Sequence, residues 1–294
     1  MRASYICPAL TLFDESLNLD FESQAALYEN LIENHIDGIL VLGSLGEFFA
    51  LQMEKKLELA RFAVKTIGGR ARLILGTSSM VFDEVVRFSN ACLDMGADAV
   101  MVVPPYYFPL DDSALLRYFE RLAQNIHGKI YIYNFPDRTG YSISARVILE
   151  LAQRHENIVG LKDTTSAMSH TREVIAAVKS VRADFEIYSG FDDNFAHNVL
   201  SGGDGCIAGL SNVFPEVCSA WTQALRQNDA DQIAHGQQVV NSLFALYGIG
   251  TSFIPIMKEA VRLRGIIRSS ACSFPFPSVS EKEREEIRKV LSKV

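Results

Sequence analysis

The chain has 294 residues, of which 48% are hydrophobic, so it can bury a large core. Its net charge of −7 at pH 7 argues against nucleic acid as a partner, and no apolar run is long enough to span a membrane. The five widely spaced cysteines form neither a disulfide framework nor a CxxC metal site, and the N-terminus lacks the features of a signal peptide. We therefore expect a reduced, cytoplasmic protein.

Eight short β-rich segments recur along the chain. Several are almost continuously apolar, which is typical of strands buried on both faces of a parallel sheet. Helical periodicity fills most of the intervals, for example over residues 22–35, 82–96 and 112–128. In chain order the eight segments are residues 6–13, 38–44, 72–78, 99–107, 129–136, 158–165, 185–192 and 205–212.

Alternation of strands and helices predicts an α/β fold, and the count of eight favours a closed (β/α)₈ TIM barrel with a C-terminal helical extension. The alternative is a doubly wound open sheet, but no GxGxxG motif opens the first helix. Later helices are expected at residues 215–226, 229–247, 252–264 and 280–292. The first of these completes a catalytic barrel domain at 1–226, and the other three form a C-terminal subdomain at 227–294.

The sixth segment, IVGLKDTT, places Lys162 in an otherwise apolar strand, near the end where TIM barrels carry their active sites. Lysine is rarely buried unless it is paired or functional. Desolvation of a lysine favours the neutral amine, which attacks a ketone to form an imine, and the imine stabilises a neighbouring carbanion. Lys162 therefore predicts a Schiff-base aldolase. The structural alternative is that it pairs with an acid inside the barrel.

Imine formation requires a proton shuttle, and Tyr133 in the preceding strand is the candidate, because a phenol both donates and accepts protons. Ser44 and Tyr107, at the ends of other strands, are candidate relay hydroxyls. Each has a structural alternative. Tyr133 suits the barrel core, Ser44 suits a helix cap, and Tyr107 suits an aromatic interface patch.

The turn GSLGEFF, which follows the second segment, has glycines that allow its backbone N–H groups to approach a carboxylate. Metal-dependent chemistry has little support. The six histidines are scattered and none lies at a predicted strand end, where a zinc aldolase would need its ligands. We expect no metal and no cofactor, the covalent imine on Lys162 serving instead.

The motifs GSLGE, YNFPDRTG and GLKDTT together resemble the dihydrodipicolinate synthase/N-acetylneuraminate lyase family of pyruvate-dependent class I aldolases. PPYYFP and GGDGCIAGLSN also fit, and the match spans nearly the whole chain in order. The resemblance implies that Lys162 forms the imine with pyruvate or another 2-oxo acid and that Tyr133 is the general acid and base. It further implies that Ser44 and Tyr107 complete the relay, Tyr107 reaching a neighbouring subunit of a homotetramer.

The resemblance also implies how pyruvate is held. The amides of Ser44 and Leu45 would bind its carboxylate, and the backbone at Ile207 would contact the pyruvyl group. Leu45 itself departs from the family pattern, which usually has a second hydroxyl residue in this turn. One carboxylate contact and part of the polar relay would therefore be lost.

Two features point to different aldehyde partners. Arg138 matches the arginine with which synthases of the family bind the carboxylate of an aldehyde substrate. The segment SGFDDNF instead resembles sugar-acid lyases, whose acidic residues bind substrate hydroxyls, so Gly190, Asp192 and Asp193 are predicted to bind substrate. Gly209 stands where sialic acid lyases have a serine, which argues against sialic acid.

The sequence thus predicts a lyase that forms or cleaves a bond between pyruvate and an aldehyde, with a 2-keto-3-deoxy sugar acid as the favoured substrate. KDTT and PIMKEAVRLRG resemble aldolases of this kind. The alternative is 4-hydroxy-tetrahydrodipicolinate synthase, which condenses pyruvate with aspartate semialdehyde, and a dehydratase of the same family ranks third. Leu45 leaves open a non-catalytic 2-oxo acid sensor, although the presence of Lys162 and Tyr133 argues against it.

Overall fold

The computed structural model describes residues 1–294, and its eight strands form one closed barrel in chain order. Neighbouring strands pair in parallel, as between the fifth and sixth and between the sixth and seventh. The (β/α)₈ barrel predicted from the sequence is therefore confirmed. The strands are β1 (Ser4–Pro8), β2 (Gly38–Val41), β3 (Arg72–Gly76), β4 (Ala99–Val102), β5 (Ile130–Asn134), β6 (Ile158–Asp163), β7 (Glu186–Ser189) and β8 (Gly205–Ile207).

Helices follow the strands, and several begin at a side chain that accepts a backbone N–H of the first turn. Asp20, Asp111, Ser144, Asp229 and Ser280 all cap helices in this way. The helices are α1 (Phe21–Glu33), α2 (Met53–Ile67), α3 (Phe82–Met95), α4 (Asp112–Asn125), α5 (Pro136–Thr139), α6 (Ala145–Arg154), α7 (Met168–Lys179), α8 (Phe195–Leu200), α9 (Pro215–Gln227), α10 (Ala230–Leu243), α11 (Phe253–Leu263) and α12 (Glu281–Leu291).

The four helices expected after the last strand are present, with one difference. The segment predicted to be helical over residues 229–247 ends as an α-helix at Leu243 and continues as a 3₁₀ turn, Phe244–Gly248. None of the helices, taken alone, has both the length and the apolar composition of a membrane span. Ala230–Gly248 and Phe253–Leu263, bent by 118° at the break between them, reach the necessary length and composition only as a pair.

The strands are shorter than the apolar segments that predicted them. The fourth segment spans residues 99–107, but β4 ends at Val102. Pro104 and Pro105 follow closely, and proline has no N–H to donate to a ladder. Tyr107 therefore lies in the loop after β4, whereas Lys162 and Tyr133 lie within strands.

The chain divides into two compact units. The first consists of Met1–Ser4 and Leu73–Ile207, and in it α6 packs against both α4 and α7. The second consists of Tyr5–Arg72 and Ala208–Val294, and in it α10 packs against α9 and α11 against α12. A separate three-helix subdomain over residues 227–294 stays a prediction.

A fully buried ion pair joins the turn after β2 to α11 within the second unit. Lys258 Nζ lies 2.5 Å from Glu47 Oε1, and both side chains are completely buried. Glu47 Oε2 also accepts hydrogen bonds from the backbone N and the hydroxyl of Ser273, at 2.8 and 2.6 Å. Lys258 donates to the Ala271 carbonyl at 2.8 Å and lies 4.4 Å from the ring centroid of Phe13. Each charge is thus compensated by polar partners.

Glu47→Gln is expected to destabilise the protein strongly, because it leaves the buried ammonium of Lys258 without a counter-charge. Loss of one partner from such a pair costs on the order of 3–5 kcal/mol of unfolding free energy. Denaturant titration measures the change. The matched control is Glu22→Gln, whose carboxylate pairs with Arg268 on the surface, with side chains 69% and 71% exposed. Equal stability of the two variants would contradict a structural role for the buried pair.

Candidate active site

Lys162 and Tyr133, which the sequence analysis placed at one end of two successive strands, are in contact. The two residues are direct partners in the register of β5 and β6. Lys162 Nζ lies 4.3 Å from the centroid of the Tyr133 ring. Lys162 is 4% exposed and Tyr133 is 5% exposed, so both are shielded from solvent. A primary amine is therefore held over the face of a phenol in the barrel.

Lys162 forms no ion pair with a carboxylate, so the structural alternative of a paired lysine is not supported. Asp163, the next residue, is also buried, but it faces the other side of the strand and accepts a hydrogen bond from Thr171 on α7. This follows from the alternation of side chains along a strand. The acid nearest in sequence is thus turned away from the amine.

Three of the predicted substrate-binding residues follow β7. Gly190 comes directly after the strand, and Asp192 and Asp193 form the 3₁₀ turn that comes next. Asp192 is buried. Burial raises the pKa of Asp193 above its usual 3.8, and the backbone N–H groups of Asp193 and Asn194 offset only part of this effect. A carboxyl group of this kind is poorly hydrated, so hydrogen bonds from the polar groups of a ligand would stabilise it.

Gly190 allows a close approach between the ends of β6 and β7. A methyl group on Gly190 would lie 1.8 Å from Thr164 Oγ1 and 2.7 Å from Thr164 Cα. Thr164 is buried and its hydroxyl has no hydrogen-bond partner. Sequence reasoning missed this residue. The available signal was its position two residues after Lys162, which on an extended strand is the same face.

The other predicted residues of the first unit differ in exposure. Ile207, the last residue of β8, is fully buried. Arg138 lies on α5 and is exposed, with its guanidinium carbon 5.6 Å from the ring centroid of Phe135. Tyr107 is 79% exposed in the loop after β4, where its ring packs edge-on against Phe108 at 5.0 Å. The relay role of Tyr107 in a neighbouring subunit stays a prediction.

Ser44 and Leu45 lie in the turn after β2, in the second unit. The next α-helix, α2, is capped at Gln52, so Ser44 is not its cap. The turn has an unusual backbone, because Leu42 and Glu47 both adopt the left-handed conformation, with φ of 62° and 53°. The ion pair of Glu47 with Lys258 anchors one end of this turn.

Leu45, where the resemblance implied a hydroxyl residue, packs against Gly209, where sialic acid lyases have a serine. A methyl group on Gly209 would lie 2.6 Å from Leu45 Cδ1 and 2.6 Å from the hydroxyl of Tyr247. Leu45 and Tyr247 therefore occupy the space that a side chain at position 209 would need. The unexpected residues at these two positions thus form one packing arrangement.

Polar side chains also lie at the outer face of β5 and β6. Asn134 and Asp163 are hydrogen-bonded to each other at 2.7 Å, and His170 on α7 lies 2.9 Å from Asp163. No group of three or more His, Cys, Asp and Glu side chains is placed to hold a metal ion. The chemistry that the site residues themselves provide is that of an amine beside a phenol, which suits reversible imine formation.

Comparison with known proteins finds relatives along nearly the whole chain. The profile of the dihydrodipicolinate synthetase family matches residues 2–294. YagE of Escherichia coli K12, provisionally named a 2-dehydro-3-deoxy-D-gluconate aldolase, is 32% identical over 98% of this chain and 96% of its own length. YjhH of the same organism, provisionally named a 2-dehydro-3-deoxy-D-pentonate aldolase, is 31% identical over 98% and 95%. The 4-hydroxy-tetrahydrodipicolinate synthase of Kosmotoga olearia is 34% identical over 93% and 92%.

Solved structures agree with these relationships. The crystal structure of YagE in complex with pyruvate superposes with a TM-score of 0.96, covering 99% of this chain and 98% of YagE at 32% identity. Dihydrodipicolinate synthase from Aquifex aeolicus superposes with a TM-score of 0.92, covering 100% and 98% at 30% identity. The similarity therefore includes the barrel and the helices that follow it.

Gly190→Ala is expected to lower the free energy of unfolding by about 1–3 kcal/mol, the usual cost of overpacking. Adding Thr164→Ala should not restore stability, because Thr164 Cα itself lies 2.7 Å from the added methyl group. Gly248→Ala is the matched control, since nothing lies within 4 Å of its added methyl group. Denaturant titration compares the three proteins. Full restoration by Thr164→Ala would show that only the threonine side chain requires the glycine.

Proposed function

The chain belongs to the dihydrodipicolinate synthetase family, and we propose that it is a class I aldolase whose Lys162 forms an imine with pyruvate or another 2-oxo acid. The observation that carries this proposal is the buried amine of Lys162, 4.3 Å from the centroid of the Tyr133 ring and without a carboxylate partner. The enzyme is a lyase that forms or cleaves a carbon–carbon bond. It needs no cofactor, because the imine provides the electron sink.

In the cleavage direction, the neutral amine of Lys162 attacks the C2 carbonyl carbon of the sugar acid. Tyr133 protonates the departing oxygen, and the carbinolamine loses water to give a protonated imine. The tyrosinate left at Tyr133 then takes the proton of the C4 hydroxyl as the C3–C4 bond breaks. The bonding electrons move into the imine to form an enamine, and the aldehyde leaves. Protonation at C3 and hydrolysis release pyruvate and regenerate the free amine.

The remaining residues have supporting roles. The backbone amides of Ser44 and Leu45 bind the pyruvyl carboxylate, and Ile207 contacts the pyruvyl group through its backbone. Ser44 and Tyr107 relay the proton, with Tyr107 contributed by a neighbouring subunit of a homotetramer. The exposure of Tyr107 and of Phe108, at 79% and 72%, supports an interface at this loop. A cytoplasmic location belongs to the same proposal.

The proposed substrate is a 2-keto-3-deoxy sugar acid. The provisional names of YagE and YjhH support this choice, since both refer to aldolases for such compounds. Asp192 and Asp193 would bind the hydroxyl groups of the aldehyde portion, beside Gly190. Carboxylates accept hydrogen bonds from several hydroxyls at once, which suits recognition of a polyol.

The second candidate is 4-hydroxy-tetrahydrodipicolinate synthase. It is favoured by Arg138, which would bind the carboxylate of aspartate semialdehyde, and by the 34% identity with the synthase of Kosmotoga olearia. A guanidinium group binds a carboxylate through two parallel hydrogen bonds. The exposed position of Arg138 is compatible with reaching an incoming substrate.

Wild-type protein should release pyruvate from 2-keto-3-deoxygluconate, as measured with a lactate dehydrogenase coupled assay, and Lys162→Ala should abolish this release. Borohydride added with pyruvate should modify only the peptide that contains Lys162. Lys282→Ala, which removes an exposed lysine of α12, is the control and should behave as wild type. Turnover confined to pyruvate with aspartate semialdehyde would establish the synthase instead. Pyruvate binding without any turnover would establish a sensor, and trapping that persists in Lys162→Ala would refute the site.

Tyr133→Phe should reduce kcat on the order of 10²-fold or more, because the ring under the amine remains but the proton carrier is gone. The matched control is Tyr188→Phe on β7. Tyr188 also pairs with Lys162 in register, but its hydroxyl donates to Glu186 at 3.2 Å. Steady-state kinetics of pyruvate release compare the two variants. Similar rates in both would move the proton shuttle away from Tyr133.

A further inference from the structure

A ring of hydrogen bonds lies behind the amine and the phenol, on the outer face of the same two strands. Asn134 follows Tyr133, Asp163 follows Lys162, and the two following residues are also partners in register. Asn134 Nδ2 donates to Asp163 Oδ1 at 2.7 Å, and both side chains are buried. Each reactive residue is thus one peptide bond from a residue of this ring.

His170 and Ile143 close the ring. Asp163 Oδ2 lies 2.9 Å from His170 Nδ1 and also accepts from the hydroxyl of Thr171 at 2.6 Å. His170 Nε2 lies 2.8 Å from the carbonyl oxygen of Ile143, whose own N–H donates to Asn134 Oδ1 at 3.0 Å. We call Asn134, Asp163, His170 and the Ile143 backbone the outer clamp. It joins β5, β6, α7 and the segment before α6.

The partners of His170 determine its charge. A carbonyl oxygen only accepts hydrogen bonds, so Nε2 must carry a proton. A carboxylate that already accepts from Asn134 and Thr171 likewise requires a donor at Nδ1. The two protons together make an imidazolium, assigned here from the chemistry of its partners. The other charged group that acts on His170 is Glu173, on its own helix.

We infer that the outer clamp is a positioning device for the proposed aldolase reaction, with His170 as its charged member. The inference rests on the proposed function of Lys162 and Tyr133. Asp163 and Asn134 have little freedom, because each is held by at least two hydrogen bonds on the far side of its strand. Since side chains alternate across a strand, holding these residues orients the amine and the phenol on the inner face.

The clamp depends on pH in a defined direction. Burial of His170 opposes its charge, but the hydrogen bond and the negative charge of Asp163 outweigh it, so the pKa of His170 is raised above 6.5. A group whose pKa is higher in the folded state stabilises that state fully below its unfolded pKa. This contribution is lost as pH rises through the folded pKa. A neutral His170 satisfies only one of its two acceptors, so the clamp loosens at alkaline pH.

Nitrogen-15 NMR of the histidine rings in the free protein tests the charge of His170. Both ring nitrogens of His170 should be protonated at pH 7, and Asp163→Asn should lower the pKa of His170. The control is His127, which pairs with Asp94 at the same 2.9 Å but on the surface, with side chains 55% and 69% exposed. A His170 ring that carries one proton at pH 7 would overturn the charged clamp.

Kinetics per active site test positioning. Borohydride trapping of pyruvate counts the sites able to form the imine, so kcat per trapped site is independent of any misfolded fraction. His170→Asn should lower kcat per trapped site about 10-fold or more, because even a small displacement of the reacting groups lowers the rate of the chemical step. KM should change by less than about two-fold. His127→Asn should leave kcat per trapped site unchanged. An unchanged value in His170→Asn would refute the positioning role.

The pH profile separates positioning from simple packing. Wild-type kcat per trapped site should fall as pH rises through the pKa of His170 measured by NMR. Asp163→Asn should lack this fall, because its amide satisfies a neutral His170 at every pH. A fall that persists in Asp163→Asn would assign it to another group and contradict the clamp. Wild type that traps no pyruvate would refute the proposed function, whereas the NMR titration would still decide the charge of His170.

Discussion

The central constraint in this protein is the burial of one primary amine against an aromatic face without a carboxylate to pair with it. The Lys162–Tyr133 contact satisfies that constraint with the electron-rich face of an aromatic ring rather than with a full negative charge. An acid at this position would hold the ammonium in its charged form and remove its nucleophilicity. The chain does have an acid next to the lysine, but Asp163 is directed to the opposite face of the strand.

Because successive side chains of a strand lie on opposite faces, neighbouring residues have two different roles here. The inner face of β5 and β6 carries the amine and the phenol, and the outer face carries the outer clamp. A similar arrangement is found in the second unit, where the turn bearing Ser44 and Leu45 is anchored through Glu47 to the buried Lys258. In each unit a buried charged group holds the backbone that presents the candidate site residues. Such charges are tolerated because every one is paired and hydrogen-bonded.

The pattern of apolar segments was sufficient to predict the barrel, because eight buried strands separated by helices have few other arrangements. It was less informative about strand ends. Residues 103–107 are as apolar as β4 itself, but they do not continue the strand, because the two prolines among them have no N–H to donate to a neighbouring strand. The helix predicted through residue 247 likewise changes at Leu243 into a 3₁₀ turn, and periodicity alone does not distinguish the two.

The sequence by itself determined the fold class and predicted the roles of Lys162 and Tyr133, because these depend on residue type and on period along one strand. Only the tertiary structure decided which distant groups meet. Gly190 is needed because Thr164 occupies the space where a side chain would begin, and Leu45 and Tyr247 do the same at Gly209. The inferred positive charge of His170 depends on its two hydrogen-bond partners, Asp163 and the Ile143 carbonyl. The physical reason is that periodicity specifies the face on which a side chain lies, whereas its partners across that face depend on how separate segments pack.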